Sequence, residues 1–267
     1  MKKKVKKIIF KLRLAPLFEI LNFSREKMKK KKENINFREQ NPDIALPPDF
    51  YIYETFSLDY KKYYDGGKET AQWVWNHLKD YINLKELSIL DWGCGPGRVI
   101  RHLPAIIGDN NYYYGCDYNE KYVDWCHKNI GNVIFKKNEL TPPLDFENDS
   151  LDIVYGISIF THLSKEMHYS WMNELNRILK KSGILLLTTH GEVSKIKLSE
   201  REKEIFNSGN LVIHKYKKEG NRLFASYQPY EFFRSLCEKN NFKVIKHISG
   251  ELINNKPLQD VWILLKK

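Results

Sequence analysis

The fold of this 267-residue chain is decided by the stretch Ser88-Ile89-Leu90-Asp91-Trp92-Gly93-Cys94-Gly95-Pro96-Gly97-Arg98. It consists of an apolar strand that ends at an acidic residue, followed by three glycines at alternate positions that open a helix. Glycines let the backbone approach a ligand closely, and the unpaired N–H groups of a helix start favour an anionic group such as a carboxylate. A dinucleotide-binding fingerprint would have its third glycine at position 98, which is Arg98 here, so the spacing disfavours NAD.

A second acidic residue follows at the end of the next predicted strand. Asp117 comes 26 residues after Asp91, at a position where a carboxylate can accept hydrogen bonds from both hydroxyls of a ribose. Tyr118 beside it can stack on an adenine ring. Each residue alone would be interpreted as structural, but with the glycine loop at this spacing they predict a site for an adenosine-containing ligand.

Strand and helix patterns alternate through the body, which is typical of a parallel sheet with crossover helices. We predict strands at 88–92, 112–116, 133–136, 151–157, 183–189, 242–248 and 260–265. We predict helices at 69–82, 97–103, 120–129, 168–180, 199–206 and 229–240, a hairpin from 211–216 and 223–227, and an irregular lead-in over 41–68. The expected fold is α/β: a Rossmann-like, doubly wound, mostly parallel sheet with an antiparallel C-terminal strand, an inserted β-hairpin and a basic helical N-terminal extension.

Residues 87–181 resemble a class I S-adenosylmethionine-dependent methyltransferase. Asp91-x-Gly93-x-Gly95-x-Gly97 matches the first motif of that family, Asp117 matches its ribose-binding acid, and Leu151-Asp152-Ile153-Val154 matches its fourth strand. The turn before the fifth strand also matches, except that Ser182 stands where the family usually has proline or glycine. The resemblance implies S-adenosylmethionine as the cofactor, with these binding residues: Asp91, Trp92, Gly93, Cys94, Gly95, Gly97, Asp117, Tyr118, Asn138, Glu139, Leu140 and Ser158.

The resemblance also implies how these residues divide the cofactor between them. Asp91 and the glycine loop would hold the methionine portion, Asp117 the ribose, and the segment 138–140 would lie near adenine. Ser158 follows the fourth strand, so it should face the methionine or the acceptor, because ligands of open α/β sheets bind beyond the carboxyl ends of the strands.

Two histidines are candidate catalytic residues. Methyl transfer requires alignment of the acceptor with the methyl group, and a hydroxyl acceptor also requires a base. His162 and His190 both follow strands at the ligand-binding edge, so either could take that proton. A hydrogen-bonded structural histidine is the alternative interpretation of each.

The acceptor is narrowed by what the sequence lacks. No Asn- or Asp-Pro-Pro-aromatic tetrapeptide ends the fourth strand and no Pro-Cys pair is present, so nucleobases are disfavoured and no nucleic-acid partner is expected. The segments 138–143, 158–163 and 259–260 are similar to methyltransferases of bacterial surface-glycan biosynthesis. This similarity makes a sugar hydroxyl of a small-molecule or glycan acceptor the leading hypothesis, with 191–228 as an acceptor-side insertion within a methyltransferase domain at 46–267.

The positive charge is concentrated at the amino terminus. Residues 1–40 contain 14 Lys and Arg against 4 Glu, whereas the rest contains 30 against 29 acids, within a net charge of +11. Val5, Ile8, Ile9 and Leu12 share one helical face, which predicts an amphipathic basic helix that Pro16 breaks. An extension at 1–45 is expected, and its residues 1–32 could contact an anionic membrane; a solvated tail or packing on the body or a partner subunit are the alternatives.

Other features favour a cytoplasmic protein. Four separated cysteines without a C-x-x-C pair predict reduced, mostly buried thiols and no metal site. No apolar run of ~18 residues predicts a membrane span, and Lys11 and Arg13 interrupt the one stretch that resembles a signal peptide. The sequence leaves open the oligomeric state, and two competing hypotheses: a catalytically silent cofactor-binding module recruited by its basic tail, and a nicotinamide-dependent oxidoreductase.

Overall fold

The computed structural model describes residues 15–82, 86–215, 218–221 and 223–267. They fall into two compact units, Met1–Gly67 and Lys68–Lys267. The amphipathic helix predicted around Val5 to Leu12 lies outside the described residues, and the predicted break at Pro16 falls in the first described turn of the chain. No helix in the described ranges combines the length and the apolar character needed to span a bilayer.

The described part of the first unit is mainly helical. It contains α1 (Ala15–Gln40), α2 (Asp49–Thr55) and the first residues of α3 (Tyr60–Leu78). The buried Asn34 side chain connects α1 to the loop before α3, because its Nδ2 donates to the Leu58 carbonyl (3.2 Å) and its Oδ1 accepts from the Tyr60 N–H (2.9 Å). The core of the unit consists of six buried side chains: Phe37, Ile52, Tyr53, Leu58, Tyr60 and Tyr63.

The predicted irregular lead-in over 41–68 is wrong, since α2 lies in this range and α3 begins at Tyr60 rather than at residue 69. Asp59 caps α3, because its Oδ1 accepts from the Lys62 N–H (3.1 Å). The pair Gly66-Gly67 lies inside the helix, where each glycine costs about 1 kcal/mol relative to alanine. Burial of the Tyr60 and Tyr63 rings offsets this cost, which the local sequence pattern does not show.

The second unit is built on a seven-stranded sheet with the strand order β3-β2-β1-β4-β5-β11-β8. β1 to β5 are parallel, and β11 runs antiparallel to both β5 and β8. This arrangement confirms the predicted Rossmann-like sheet with an antiparallel C-terminal strand. The strands are β1 (Ser88–Trp92), β2 (Tyr112–Asp117), β3 (Ile134–Lys137), β4 (Leu151–Gly156), β5 (Leu179–Thr189), β8 (Phe242–Ile248) and β11 (Asp260–Lys266).

Helices cover both faces of this sheet, as the doubly wound prediction requires. Leu90 and Trp92 of β1 belong to one buried cluster and Ile89 belongs to the other, so consecutive side chains point to opposite faces. The first cluster includes residues of α6 (Lys165–Ile178) and α8 (Tyr230–Lys239). The second includes residues of α3, α4 (Leu103–Ile107) and α5 (Glu120–Asn129). The four cysteines are free and buried, as predicted.

The helix predicted over 97–103 is wrong in its first part. Gly97 has a φ of 70°, outside the right-handed helical range, and helical structure begins only with a 3₁₀ turn at Ile100–His102 that continues into α4. The turn after β1 is therefore longer than the glycine spacing indicates.

The predicted insertion after β5 is present. It contains α7 (Glu200–Asn207) and an antiparallel hairpin of β6 (Val212–Lys215) and β7 (Phe224–Tyr227). A small cluster of its own supports it, formed by Leu198, Phe206, Val212 and Tyr227. A second hairpin, β9 (Leu252–Ile253) with β10 (Lys256–Pro257), was not predicted, because two-residue strands with exposed side chains show no alternating pattern.

Two residues of α6 fix the segment between β3 and β4. Buried Glu174 accepts the Leu144 N–H through Oε1 (2.7 Å), and Arg177 donates to Glu174 (2.6 and 2.9 Å). Arg177 also donates to the carbonyls of Leu144 (3.1 Å) and Phe146 (2.8 Å). This segment begins with residues 138–140, so the network bears on the position of predicted site residues.

We expect Arg177→Leu to lower the free energy of unfolding by about 2–3 kcal/mol, because buried Glu174 loses its cationic partner and two carbonyls lose their donors. Urea denaturation measures the change. The control is Arg234→Leu, which removes an exposed pair with Glu238 and should have a much smaller effect on the free energy of unfolding. Equal effects of the two substitutions would show that the network does not stabilise the fold.

Candidate cofactor and acceptor site

A cleft lies at the carboxyl ends of β1, β2 and β4, where ligands of open α/β sheets bind. It has about 440 Å³ of free space, part of which is open to solvent. The cleft is lined by eight of the residues that the sequence predicted as site residues: Trp92, Gly93, Asp117, Tyr118, Asn138, Glu139, Leu140 and His162. Four further lining residues were missed: Ile159, Leu163, Trp171 and Gly220.

The turn after β1 is held by the end of β2. The N–H groups of Gly93 and Cys94 both donate to the Cys116 carbonyl (2.8 and 2.9 Å). The Gly95 N–H donates to Asp117 Oδ2 (2.9 Å). The pairing of the two strands therefore continues into the turn and fixes its path at the cleft.

Glycine is required at the first position of this turn. Gly93 has a φ of 77°, a conformation that costs an L-residue roughly 1–2 kcal/mol. A Cβ there would lie 2.2 Å from Ile159 Cδ1, so the side chain that follows β4 occupies the space beside the glycine. The close approach of Gly93 and Ile159 forms one wall of the cleft.

Asp117 lines the cleft and is only 7% exposed. Besides the Gly95 N–H, its carboxylate accepts from the Asn119 N–H through Oδ1 (2.8 Å). An ionised carboxylate only accepts hydrogen bonds, so this group is of the kind that binds ligand hydroxyls. Tyr118 is 45% exposed beside it, and its hydroxyl donates to the Gly220 carbonyl (3.2 Å).

The segment 138–140 lines the cleft next to Asp117, whose carbonyl accepts from the Asn138 N–H (3.1 Å). Asn138 Nδ2 donates to the Glu139 carbonyl (2.6 Å), whereas Asn138 Oδ1 is buried and has no hydrogen-bond partner among the described residues. Trp171 Nε1 donates to the Leu140 carbonyl (3.2 Å) and fixes this segment on α6. A buried acceptor without a donor at a cleft suits a ligand amino group, as an adenine carries.

Asp91 and three residues of the glycine turn do not line the cleft. Asp91 is 4% exposed, and burial raises the pKa of its carboxyl to about 7, while the nearby positive charge of Arg98 opposes the shift. Cys94 is buried, which raises the pKa of its thiol well above the usual value. Gly95 and Gly97 shape the turn behind the cleft wall.

Ser158 belongs to a polar network beside the cleft. It has a φ of 65°, a strained conformation for serine, directly after β4. Its N–H donates to Thr188 Oγ1 (2.7 Å), and its Oγ accepts from Gln259 Nε2 (2.7 Å). Thr188 Oγ1 in turn donates to Gln259 Oε1 (2.6 Å). The sequence pointed to residues 259–260 only through a resemblance, and it gave no signal for Thr188.

The two candidate histidines occupy different places. His162 lines the cleft, whereas His190 does not and stacks on Tyr227 with ring centroids 5.1 Å apart. His162 Nδ1 lies 2.7 Å from the Phe224 carbonyl and His190 Nδ1 lies 3.1 Å from the Ser226 carbonyl. A carbonyl only accepts, so Nδ1 of each ring carries the proton. Burial lowers the pKa of His162, and burial together with Lys197 lowers that of His190 to about 4.

The tip of the β6–β7 hairpin closes one end of the cleft. The Gly220 N–H donates to the His162 carbonyl (2.9 Å), and the Gly220 carbonyl accepts from the Tyr118 hydroxyl (3.2 Å). Glu219 Oε1 accepts from the Ser164 N–H.

In the described part of the chain, no group of three His, Cys, Asp or Glu side chains could hold a metal ion.

Comparison with known proteins agrees with this geometry. Residues 89–183 match the family model described as a methyltransferase domain. The chain is 27% identical over 124 residues to the tRNA N(3)-cytidine methyltransferase METTL2 of Danio rerio, a match that covers 41% of this chain and 33% of that protein. It therefore spans about a third of the length of that relative.

Two further similarities cover a larger share of the chain. The chain is 26% identical to the ubiquinone/menaquinone biosynthesis C-methyltransferase UbiE of Wigglesworthia glossinidia brevipalpis, over 67% of this chain and 78% of that protein. Its fold is similar to that of magnesium protoporphyrin IX methyltransferase from Synechocystis PCC 6803 with bound SAH, with a TM-score of 0.54 and 15% identity over 91% of this chain and 99% of that one.

Fold, turn and comparisons agree on the class. Residues 89–183 match a methyltransferase domain and lie in a Rossmann-like sheet, which supports a methyltransferase that uses S-adenosylmethionine as its cofactor. The cleft fits that group, since a turn that excludes side chains and a buried carboxylate meet there with an amide oxygen that has no hydrogen-bond partner among the described residues.

We expect Gly93→Ala to weaken binding of S-adenosylhomocysteine at least tenfold, because the new methyl group displaces Ile159 and strains the turn at the cleft. Isothermal titration calorimetry measures the change. Gly209→Ala is the matched control: its φ is 78° but no atom lies within 4 Å of the new Cβ, so it carries the backbone strain alone. If both variants bind like the wild type, the turn does not contact the ligand.

Asp91 should make stability depend on pH. Its folded-state pKa of about 7 lies above the usual 3.8, so the stabilisation is fully present below pH 3.8 and is lost as pH rises toward 7. We expect the difference in unfolding free energy, wild type minus Asp91→Asn, to fall between pH 5 and pH 7.5 by more than about 1.4 kcal/mol, the value of one pKa unit. A difference that stays constant or rises with pH would contradict the assignment.

Proposed function

We propose that the chain transfers a methyl group from S-adenosylmethionine to a hydroxyl oxygen of a small-molecule or glycan acceptor, with a sugar hydroxyl as the leading case. The observation that carries this proposal is the state of His162. Its ring lines the cleft, its Nδ1–H is held by the Phe224 carbonyl, and burial lowers its pKa. At neutral pH the ring is therefore an uncharged base whose lone pair is on Nε2.

A hydroxyl acceptor needs such a base, whereas amines that are already neutral do not. A hydroxyl becomes nucleophilic as its proton leaves, and a base with a pKa near or below the working pH stays in the competent form. The cofactor, when bound, supplies an activated methyl group and its own leaving group. His162 takes up the acceptor's proton in this proposal, and the hairpin carbonyl of Phe224 keeps its ring oriented.

The cofactor residues are proposed on the same geometry. Asp117 accepts from the ribose hydroxyls, Asn138 Oδ1 accepts from the adenine amino group, and Tyr118 packs on the base. The turn that begins at Gly93 receives the methionine portion. Asp91 supports this turn from behind the cleft wall rather than by direct contact.

The acceptor side is proposed to be the polar network at the ends of β4 and β5. The side chains of Ser158, Thr188 and Gln259 offer donors and acceptors of the kind that bind sugar hydroxyls. The insertion at 191–228, within a methyltransferase domain at 46–267, covers this side, since Ser226 and Phe224 hold His190 and His162. Relatives named for tRNA and for quinone biosynthesis make RNA and quinone acceptors the required comparisons.

We expect His162→Asn to lower methyl transfer at least about 100-fold, the size of a general-base contribution. Asparagine keeps a donor for the Phe224 carbonyl but has no basic nitrogen, so the affinity for S-adenosylhomocysteine should not change. In the wild type, the rate should rise with pH through an apparent pKa below 6.5, because the protonated ring is inactive. Transfer of labelled methyl to sugars, nucleotide sugars and lipid-linked glycans measures the rate.

His190→Asn provides the comparison, because His190 has the same type of Nδ1 contact outside the cleft. A larger loss at His190 than at His162 would move the base to His190. Transfer to tRNA or to a quinone alone would overturn the hydroxyl proposal. Cofactor binding without transfer to any acceptor would favour a catalytically silent module.

A further inference from the structure

α1 has an apolar face that the described part of the first unit does not cover. Leu17, Leu21, Met28 and Ile35 are 59%, 67%, 72% and 46% exposed. At 100° per residue these four positions fall within about 40° of one another, so they form one stripe, here named the α1 stripe. The side of α1 that packs on its own unit carries Phe37 and lies opposite the stripe.

Most charged residues of α1 lie on particular sides of this stripe according to their sign. Arg25 and Lys32 lie on one flank of it and Lys31 on the other, each within about 80° of the stripe. Three of the four glutamates of α1, Glu19, Glu26 and Glu33, repeat every seven residues and lie about 160–200° away, on the far side, whereas Glu39 in the last turn lies in line with the stripe. None of the three basic side chains pairs with an acid in the described ranges. The helix therefore presents apolar side chains between two cationic borders.

A groove runs along the Lys31 flank. Its lining includes Met28 and Ile35 of the stripe together with Lys27, Lys31 and Arg38. Lys27 pairs with Asp49 (2.8 Å) and Arg38 donates to the Tyr60 hydroxyl (3.2 Å), so these two cations are held in place within the unit. Lys31 lines the same groove, so three cations and one carboxylate, Asp49, lie there next to exposed apolar surface.

We propose that the α1 stripe docks on the surface of a bilayer that contains anionic phospholipids. The four apolar side chains would enter the boundary between headgroups and acyl chains, while Arg25, Lys31 and Lys32 would lie at the level of the phosphates. Residues 1–14 add seven Lys and Arg and no acid to the same extension. The stripe belongs to the first unit and the cleft is lined by residues of the second, so the inference does not rest on the proposed acceptor.

Charge and apolarity select this partner over two others. A second copy of α1 would bring cationic borders against cationic borders across the stripe, and like charges beside a helix interface oppose pairing. A nucleic acid would satisfy the cations but would leave Leu21 and Met28 without an apolar environment. An anionic bilayer satisfies both groups at once.

The test is flotation of the full chain with vesicles of phosphatidylcholine alone or with 30% phosphatidylglycerol. One variant, Leu21→Gln with Met28→Gln, removes half of the stripe; another, Arg25→Gln with Lys31→Gln and Lys32→Gln, removes its borders. Each variant has a matched control made of exposed residues of the second unit. The apolar control is the double variant Leu252→Gln with Ile253→Gln. The charge control is the triple variant Lys239→Gln, Lys243→Gln and Lys246→Gln. Circular dichroism and the affinity for S-adenosylhomocysteine verify the fold of every variant.

We expect the wild type and both controls to bind anionic vesicles at least tenfold more tightly than neutral ones, with weaker binding in high salt. The stripe variant and the border variant should each bind anionic vesicles at least tenfold more weakly than the wild type does. Equal binding by all variants, or no preference for anionic vesicles, would overturn the proposal. Light scattering that shows a dimer abolished by Leu21→Gln with Met28→Gln, or tRNA binding abolished only by the border variant, would instead assign the surface to a second copy or to RNA.

Discussion

The site depends on the hydrogen bonds that join the turn after β1 to the end of β2. The Cys116 carbonyl receives two N–H groups of the turn and Asp117 receives the third, at Gly95. A parallel strand pair thus continues beyond its last regular residue, and it carries both the turn and a buried carboxylate to the same point. With glycine at the first position, the backbone rather than a side chain faces the cleft, and Ile159 closes the space behind it.

Elements that follow β4 and β5 supply the proposed acceptor side. The strained Ser158 turn directs the chain into the helical turn that carries His162, and the hairpin returns to both, with Phe224 at the imidazole and Gly220 at the cleft end. One insertion therefore orients the proposed base and closes the cofactor cleft. Because this insertion contacts both the cofactor cleft and the proposed acceptor region, it can align the acceptor with the methyl group.

The sequence predicted most of the sheet because its strands are apolar, buried on both faces and separated by helical periodicity; β1 and β8 and helix α5 match their predicted bounds. It failed where a tertiary contact overrides local preference. α3 passes through Gly66-Gly67 because Tyr60 and Tyr63 are buried, and the expected helix at Gly97 is delayed by a positive φ. Cleft residues at the ends of the predicted strands were found from the sequence. Trp171 and Gly220 come from distant segments, and no local sequence pattern marks them as cleft residues.

The most direct measurement of the central claim is a crystal structure of the full chain with S-adenosylhomocysteine. The account predicts the ribose hydroxyls on Asp117, the adenine amino group at Asn138 Oδ1, and the homocysteine portion along the turn that begins at Gly93. It also predicts an open path from the sulfur to His162 Nε2. A ligand bound elsewhere, or one whose ribose does not touch Asp117, would contradict it.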